Sequence, residues 1–346
     1  MRTVATSLAL ALPFAAALLS PPAAFAAARP PPPSKDVGPT EFSQAVMYGS
    51  RPEVDRAISK LKHLGVTRDK LAPVARLLAE GQVKARQNCA YVFSVIPEPS
   101  FADNLEKALE DEDEVVRGYA ATALGKIKSR ESLKPLAKAL GDVSPVVRRE
   151  SAKALGNVGD KTASRRLVGL LEDPNTEVRI ATILALGQLG DPATEKPLLP
   201  LLKDSSETMR LAALRALCSV GSPEGKKQVE AMLASSDPLV RKDGIRLLEG
   251  LKTPWVRAAL LALTRDKEID VAIAAAKALA MAGDGRGVEW LVYSLARVDL
   301  EESVKIEGIL EDLQLTAADR KRILAKKPSP ELVLPVLEAE KVPPTK

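Results

Sequence analysis

Apolar and polar residues along this chain recur with a period of 31 residues. An apolar residue followed by arginine, as in Val116-Arg117 and Val178-Arg179, marks the start of each unit most clearly. The strict step places unit starts at Val54, Ala85, Val116, Val147, Val178, Met209, Val240 and Val271. A ninth unit is expected to begin at Val304, two residues late. Self-similarity at such a period predicts a stack of similar structural units.

Two amphipathic helices are predicted within each unit. Eight positions after six successive unit starts, from Val116 to Val271, stands a leucine: Leu124, Leu155, Leu186, Leu217, Leu248 and Leu279. Four positions after the start stands a small residue, such as Ala120 or Ser151, on the same face of a helix. A second apolar stripe follows at positions twenty and twenty-four, for example Leu136 and Leu140. The small residues allow the helices to approach one another closely.

A glycine followed by a capping residue separates the two helices, as in Gly159-Asp160 and Gly190-Asp191. The glycine is placed to end the first helix in a left-handed conformation, and the aspartate to cap the next helix. The motif Gly-x-x-Gly-Asp also resembles a phosphate-binding loop. Because it recurs in successive units and has no Lys-Ser or Lys-Thr after it, we interpret it as a helix connection.

A helix pair of this size cannot bury its apolar face alone, so the units must stack. We therefore expect an all-α fold, a right-handed α-solenoid of about eight to nine 31-residue helix-pair repeats. The pattern Asp173-x-x-x-x-Val178-Arg179, followed by Ala185-Leu186-Gly187 and Gly190-Asp191, resembles the short HEAT-like repeat first described in phycobilin lyase subunits. The resemblance covers roughly Val54 to Leu313 and concerns the fold much more than the function.

A column of arginines lies one position after the unit starts: Arg86, Arg117, Arg148, Arg179, Arg210 and Arg241. Evenly spaced cations could bind a polyanion. However, an acidic column lies five positions before the unit starts: Glu80, Asp111, Asp142, Asp173, Asp204 and Asp266. In HEAT-like repeats such columns form a ladder of Arg–Asp hydrogen bonds between units, and we favour that interpretation. Ser235 and Ala272 interrupt the columns, so the ladder should weaken towards the end.

The residues outside the repeats predict export. Arg2, an apolar run and Ala24-Phe25-Ala26 have the pattern of a signal peptide, with an uncleaved anchor as the alternative. We assign residues 1–26 to the signal peptide, 27–40 to a Pro-rich linker, 41–315 to the solenoid and 316–346 to a C-terminal helical cap and tail. The expected location is the periplasm or the exterior, with no membrane span after cleavage.

Composition argues against most kinds of chemistry. The net charge is +5 and aromatic residues make up only 3% of the 346 residues, so we expect no nucleic-acid partner. His63 is the only histidine, which excludes a His-based metal cluster or a Ser-His-Asp triad within one chain. The acidic run Glu110–Glu114 is interpreted as a solvated turn, with a weak calcium site as the alternative. Cys89 and Cys218 lie four units apart and should be free, buried thiols. We predict no enzyme activity and no cofactor.

The remaining hypothesis is a protein-binding scaffold of the cell envelope. The alternatives are a chromophore-lyase-like subunit, suggested only by the resemblance, and a binder of a polyanion. Positions two and six after each unit start lie on the first helix of the unit and point away from its buried stripe. In HEAT-like solenoids this helix usually lines the concave side. The predicted partner-binding residues there are Ile180, Leu184, Leu211, Arg215, Lys242, Arg246, Ile273 and Lys277. An acidic amphipathic segment of another protein is the expected ligand, unless helix tilt buries the aliphatic members.

Overall fold

A computed structural model describes residues 41–335, which belong to one compact unit, Thr40–Lys346. The predicted signal peptide and linker, and residues 336–346 of the predicted tail, lie outside the described residues. Residues 41–335 contain α-helices and short 3-10 helices and no β-strand, as expected of an all-α solenoid. None of these helices combines the length and the apolar character needed to cross a membrane.

The helices alternate between the first and second positions of the repeat. From the second unit onwards, the first helices are α4 (Val83–Val95), α6 (Glu114–Ile127), α8 (Pro145–Val158), α10 (Thr176–Leu189), α12 (Glu207–Val220), α14 (Pro238–Leu248), α16 (Ile269–Met281) and α18 (Leu300–Asp312). The second helices are α5 (Ala102–Ala108), α7 (Leu133–Ala139), α9 (Ser164–Val168), α11 (Glu195–Leu198), α13 (Pro223–Leu233), α15 (Pro254–Leu263), α17 (Gly285–Ser294) and α19 (Ala317–Leu324).

Three further helices, α1 (Glu41–Tyr48), α2 (Arg51–His63) and α3 (Arg68–Glu80), precede α4. Short 3-10 helices flank or extend several second helices: Pro99–Phe101, Lys161–Ala163, Gly169–Glu172, Pro192–Thr194 and Leu199–Lys203. The glycine connections form as predicted, since Gly159, Gly190 and Gly221 all have left-handed backbone angles, with φ of 79°, 58° and 85°. Asp160 and Asp191 then cap the 3-10 helices that follow them.

The first helices keep strict register to the end of the stack. Their N-cap residues recur every 31 positions, at Asp113, Ser144, Asn175, Ser206, Asp237, Glu268 and Asp299. The predicted shift of two residues at Val304 is therefore wrong. Val304 is 63% exposed, whereas Ile306 and Leu310 are completely buried, as residues four and eight positions after a unit start should be. The ninth unit begins at Glu302, a polar residue that hid the register in the sequence.

Successive first helices approach each other through a glycine of one helix and an alanine of the next. A Cβ atom added to Gly125 would lie 2.6 Å from the Cα atom of Ala154, and one added to Gly187 would lie 3.0 Å from that of Ala216. These distances leave no room for a side chain without a shift of the backbone. The leucine column between them, from Leu124 to Leu279, is completely buried. The predicted core stripe is confirmed.

The Arg–Asp ladder also forms, but with a gap. Each of its rungs is bidentate: Arg86–Asp111, Arg117–Asp142, Arg148–Asp173 and Arg241–Asp266. Among residues 41–335, Arg210 has no carboxylate partner because Ser235 replaces the aspartate, as predicted. The rung Arg179–Asp204, which we also expected, is missing. Arg179 instead donates to the carbonyl oxygen of Asp173 at 2.7 Å and to Oγ1 of Thr176 at 3.0 Å.

The step from α12 to α14, called here the α12–α14 junction, differs from the preceding steps. Cys218 and Leu247 replace the glycine and alanine of the close contact, and their larger side chains exclude the same approach. The buried core divides at this point into a cluster that ends at Leu217 and one that begins at Leu214. The missing rung of Arg210 lies at this junction, and the missing rung of Arg179 lies one step before it, between α10 and α12. The stack therefore contains a more loosely packed step near its centre.

Candidate partner-binding surface

The predicted partner-binding residues lie on four successive first helices. Ile180 and Leu184 are on α10, and each later helix contributes one pair: Leu211 and Arg215, Lys242 and Arg246, Ile273 and Lys277. Residues four apart on one helix are neighbours on its surface. The structure therefore places these side chains in rows along the stack, although it divides them into an apolar part and a basic part.

The apolar part consists of Leu184 and Leu211. Their side chains are 40% and 38% exposed, which is unusual for leucines in the middle of long helices of this packed fold. Ile180 is only half-buried and packs against the large core cluster. The expected exposure is therefore confirmed for both leucines, whereas Ile180 contributes partly to inter-helix packing.

Ile273 is not exposed, and the prediction that it is a solvent-facing member of the binding surface is wrong. Its side chain is 4% exposed and belongs to the last core cluster, together with Trp290 and Leu310. At this end of the stack the helices cover a position that is half-buried on α10, at Ile180, and exposed on α12, at Leu211. Ile273 instead forms part of the wall of a cavity between α14, α16 and α18.

The side chain of Arg215 forms hydrogen bonds within the protein. Its guanidinium donates hydrogen bonds to the carbonyl oxygens of Leu247 at 2.7 Å and Glu249 at 2.6 Å. These carbonyls lie at the end of α14, where no helical N–H is available to them. We predicted that Arg215 orients a ligand, but its structural role is to bridge the α12–α14 junction.

The basic part of the surface forms a cavity of about 460 Å³. It brings together Lys242, Arg246, Ile273 and Lys277, four of the predicted residues, from two adjacent helices. Further walls come from Ile245, Glu249, Asp270, Ala274, Lys305, Gly308, Ile309 and Asp312. Ile245 and Ile273 in this lining are buried, whereas its charged side chains are partly or fully exposed. The cavity is a concave site with mixed lining, of the kind that small ligands and side chains of partners occupy.

Charge within the cavity is mixed. Lys305 forms ion pairs with Glu301 at 2.8 Å and with Asp270 at 3.1 Å, and these hydrogen bonds raise its pKa. Arg246 pairs with Asp243 at 3.0 Å. Within the described residues, Lys242 and Lys277 have no ion-pair or hydrogen-bond partner, so both ammonium groups are available to a ligand. Glu249 and Asp312 restrict where a second negative charge could lie.

Sequence reasoning missed several members of this surface because of the register error. With the ninth unit starting at Glu302, Val304 and Gly308 occupy positions two and six, so Val304 continues the row of outward-facing aliphatic residues. Lys305, which lies three positions after the unit start, then falls beside Lys277 in the cavity wall. The signal was present in the sequence as the 31-residue step from Asp237 to Glu268 to Asp299, the N-cap column.

The other chemistry-bearing residues take structural roles. Cys89 and Cys218 are free and buried as predicted, and burial raises the pKa of the Cys218 thiol to about 12. His63 is exposed at the end of α2. In the acidic run, Asp111 pairs with Arg86 and Asp113 caps α6 through Val115 and Val116. Between residues 41 and 335, no three His, Cys, Asp or Glu side chains cluster as metal ligands would.

Comparison with known proteins agrees with the repeat architecture. Residues 102–180 and 164–249 match the family model of HEAT repeats. No curated protein matches the chain. Among solved structures, the complex of CpcE and CpcF of phycocyanin lyase from Nostoc sp. PCC7120 is 22% identical, with 72% of this chain and 95% of that chain covered and a TM-score of 0.49.

Two other solved structures are similar at lower TM-scores. Human deoxyhypusine hydroxylase in complex with glycerol is 21% identical, covering 74% of this chain and 99% of that chain, with a TM-score of 0.33. A computationally designed armadillo repeat protein for modular peptide recognition is 21% identical, covering 51% and 98%, with a TM-score of 0.37. These values carry no inference about activity. The chain is thus an all-α solenoid that carries HEAT repeats across residues 102–249.

Proposed function

We propose that this protein is a non-enzymatic scaffold that binds another protein through its first-helix surface, from α10 to α18. The observation that carries the proposal is the exposure of Leu184 and Leu211 on neighbouring helices, beside a cavity with two unpaired lysines. Exposed aliphatic side chains next to a concave, charged site are typical of protein interaction surfaces. The two leucines supply apolar contact area, and the lysines supply orientation.

The ligand that fits this surface is an acidic amphipathic segment. Its apolar side would cover Leu184 and Leu211, and an acidic side chain would pair with Lys242 or Lys277. A carboxylate near Glu249 or Asp312 would be repelled, so the position of the acids along the segment matters for specificity. Charge pairs at the rim of such a site act mainly on the association rate, whereas the buried leucines determine the dissociation rate.

The proposed location is the cell envelope or the exterior. This part of the proposal rests on the sequence of residues 1–26 alone, with Arg2, the apolar run and Ala24-Phe25-Ala26. Determination of the mature N-terminus by mass spectrometry tests it directly, and retention of Met1 would contradict it.

The experiment for the binding site uses a photo-cross-linking amino acid at position 184 or 211 in the native host, with position 64 as the control. Leu64 is exposed directly after the end of α2, outside the proposed surface. We expect one partner to be captured from positions 184 and 211 and not from position 64. The affinity of the purified partner is then measured with the double variant Leu184→Ser/Leu211→Ser.

A matched double variant, Leu64→Ser/Leu324→Ser, removes exposed leucine side chains outside the first-helix surface. Loss of two buried leucine contacts should weaken binding at least 10-fold, about 1.4 kcal/mol or more, while the matched variant binds as the wild type does. The melting temperature of both variants should stay close to that of the wild type. Unfolding of the Leu184→Ser/Leu211→Ser variant, or unchanged affinity, would contradict the proposed site.

A second candidate function, binding of an anionic polymer, is supported by a different column of residues. Eighteen positions after four successive unit starts stand exposed cations that have no ion-pair partner among residues 41–335: Lys134, Arg165, Lys196 and Lys227. Such a row favours a polyanion with affinity that falls steeply with salt. Alginate, tested against the wild type and the four-alanine variant of this column, separates the two functions, because Leu184→Ser/Leu211→Ser should leave alginate binding unchanged.

A further inference from the structure

The C-terminal part of the described chain folds back over α17. After α19, residues Ser329–Pro335, called here the strap, run across the surface of α17 without regular secondary structure. Leu332 and Leu334 pack against the last core cluster, while Val333 remains exposed. The strap therefore has an apolar side that faces the solenoid and alternates with outward-facing residues.

Three side chains hold the backbone of the strap at alternate residues. Arg265 donates to the carbonyl oxygen of Glu331 at 2.9 Å, and Trp290 Nε1 donates to that of Val333 at 3.0 Å. Arg297 donates to the carbonyl oxygen of Pro335 at 3.4 Å. The two-residue period is that of an extended chain. Because carbonyl oxygens are common to all residues, this part of the recognition does not depend on the side chains of the bound segment.

Side-chain contacts add selectivity at the other end of the strap. The backbone N–H and the hydroxyl of Ser329 donate to Glu289 Oε2, at 3.2 and 2.6 Å. Arg286 forms an ion pair with Glu331. The residues of α17 that contact the strap lie three to four positions apart, so they form one face of the helix. This face is built to hold a peptide with a serine and an acidic residue before two alternating leucines.

Trp290 shows that the face requires an acceptor. Its side chain is 1% exposed, and a buried indole N–H left without a partner is costly. The strap also lines a cavity of about 390 Å³, together with the turn from Thr264 to Lys267 and residues at the start of α18. The buried Trp290 supplies a fixed N–H donor, and Arg265 and Arg297 supply further donors, one on each side of it. Together they form a preformed binding groove.

We propose that the strap groove, formed by Arg265, α17 and Arg297, is a peptide-binding site in which the strap is a displaceable intramolecular ligand. The external ligand is a segment of another protein with the pattern Ser-x-Glu-Leu-x-Leu. In the free protein the strap competes at the high effective concentration of a tethered segment, typically millimolar. The groove shares no residue with the surface around Leu184 and Leu211, so failure of one proposed site would not contradict the other.

The test uses the full chain and the fluorescent peptide SPELVLP, which reproduces residues 329–335. In the variant Leu332→Ser/Leu334→Ser the strap loses its apolar contacts, and we expect the peptide to bind at least 10-fold more tightly than it binds the wild type. A peptide with both leucines replaced by serine should not bind. Adding Trp290→Phe to the variant should weaken peptide binding about 10-fold, since the N–H donor is lost.

A second strap variant is tested in case Leu332→Ser/Leu334→Ser does not fold. Ser329→Ala/Glu331→Ala removes only polar contacts of the strap, and it should also bind the peptide more tightly than the wild type does. Circular dichroism establishes that each variant keeps its helices. Equal affinity of the wild type and a folded strap variant, or no binding of the peptide to a folded variant, would show that the strap is only a fixed part of the fold and overturn the proposal.

Discussion

The guanidinium of Arg215 on α12 lies 2.7 Å from the carbonyl oxygen of Leu247 at the end of α14. In the preceding steps of the stack, from α6 to α12, a glycine and an alanine bring successive helices together, and no long side chain is needed between them. At the α12–α14 junction the corresponding residues are Cys218 and Leu247, and Arg215 crosses the wider step. One hydrogen-bonded arginine thus replaces a contact between two backbones.

Replacement of Arg215 by alanine should destabilise the junction more than the rest of the fold. The change leaves the carbonyl oxygens of Leu247 and Glu249 without their donor, which typically costs about 1–3 kcal/mol. Hydrogen exchange should become faster in α14 and remain unchanged in α8. The control is Lys242→Ala, which removes a lysine of α14 that has no partner among the described residues, and it should change stability by less than about 0.5 kcal/mol. Equal effects of both changes would contradict the bridging role.

Addition of a single methyl group should distinguish two glycines. Gly125→Ala places a Cβ atom 2.6 Å from the Cα atom of Ala154, so the helices must separate and stability should fall by about 1–3 kcal/mol. Gly169→Ala has open space and a helical φ of −62°, so stability should rise slightly or stay constant. Thermal melting of the two variants checks both signs. A similar fall in both would mean that helix–helix contact is not the reason for glycine at position 125.

The Arg148–Asp173 rung should make stability depend on pH in the acidic range. The hydrogen bonds from Arg148 hold the pKa of Asp173 below its ordinary value, and this outweighs the opposite effect of burial. Since the pKa is lower in the folded protein, the rung stabilises fully above the pKa of the unfolded chain, about 4, and its contribution is lost as pH falls further.

Urea unfolding between pH 7 and pH 2.5 measures this effect. The difference in free energy of unfolding between the wild type and Asp173→Asn should be constant near neutrality and shrink below about pH 4. Asp204→Asn is the matched control, because Asp204 caps a turn through Ser206 but has no bidentate arginine. A pH-independent difference for Asp173→Asn would show that the rung contributes through geometry and not through charge.

Both cysteines should react only after unfolding. Burial raises the pKa of Cys89 and of Cys218, and the thiolate is the reactive form. Ellman's reagent at pH 8 should therefore detect two thiols in denaturant without reductant and almost none in the native protein. Fast reaction of one thiol in the native state would indicate that the junction beside Cys218 opens frequently.

The sequence was sufficient to predict the repeat, its caps and its core, because each depends on residues at fixed spacing within one unit. Gly159 has a left-handed backbone because it ends a helix, and Leu124 and its equivalents are buried because every unit repeats the same apolar stripe against its neighbours. The surface was predicted less well. Whether Ile273 is exposed depends on how closely α18 packs on α16, and the role of Arg215 depends on the width of the junction. Neither the packing of α18 on α16 nor the width of the junction can be derived from the 31-residue period. The start of the last unit was not recognised because Glu302 is polar.

The constant spacing of these contacts means that the length of this protein can change only in whole units. If residues 126–156 were deleted, Asp173 would meet Arg117 in the place of Asp142, and Ala185 would meet Gly125 in the place of Ala154. Each contact would be replaced by one of the same chemistry, and the stack would be shorter by one layer of about 10 Å. A deletion of any other size would pair unrelated residues. The length of the solenoid therefore changes in steps of one 31-residue unit. Duplication of one unit is the simplest change that would let it reach a more distant ligand.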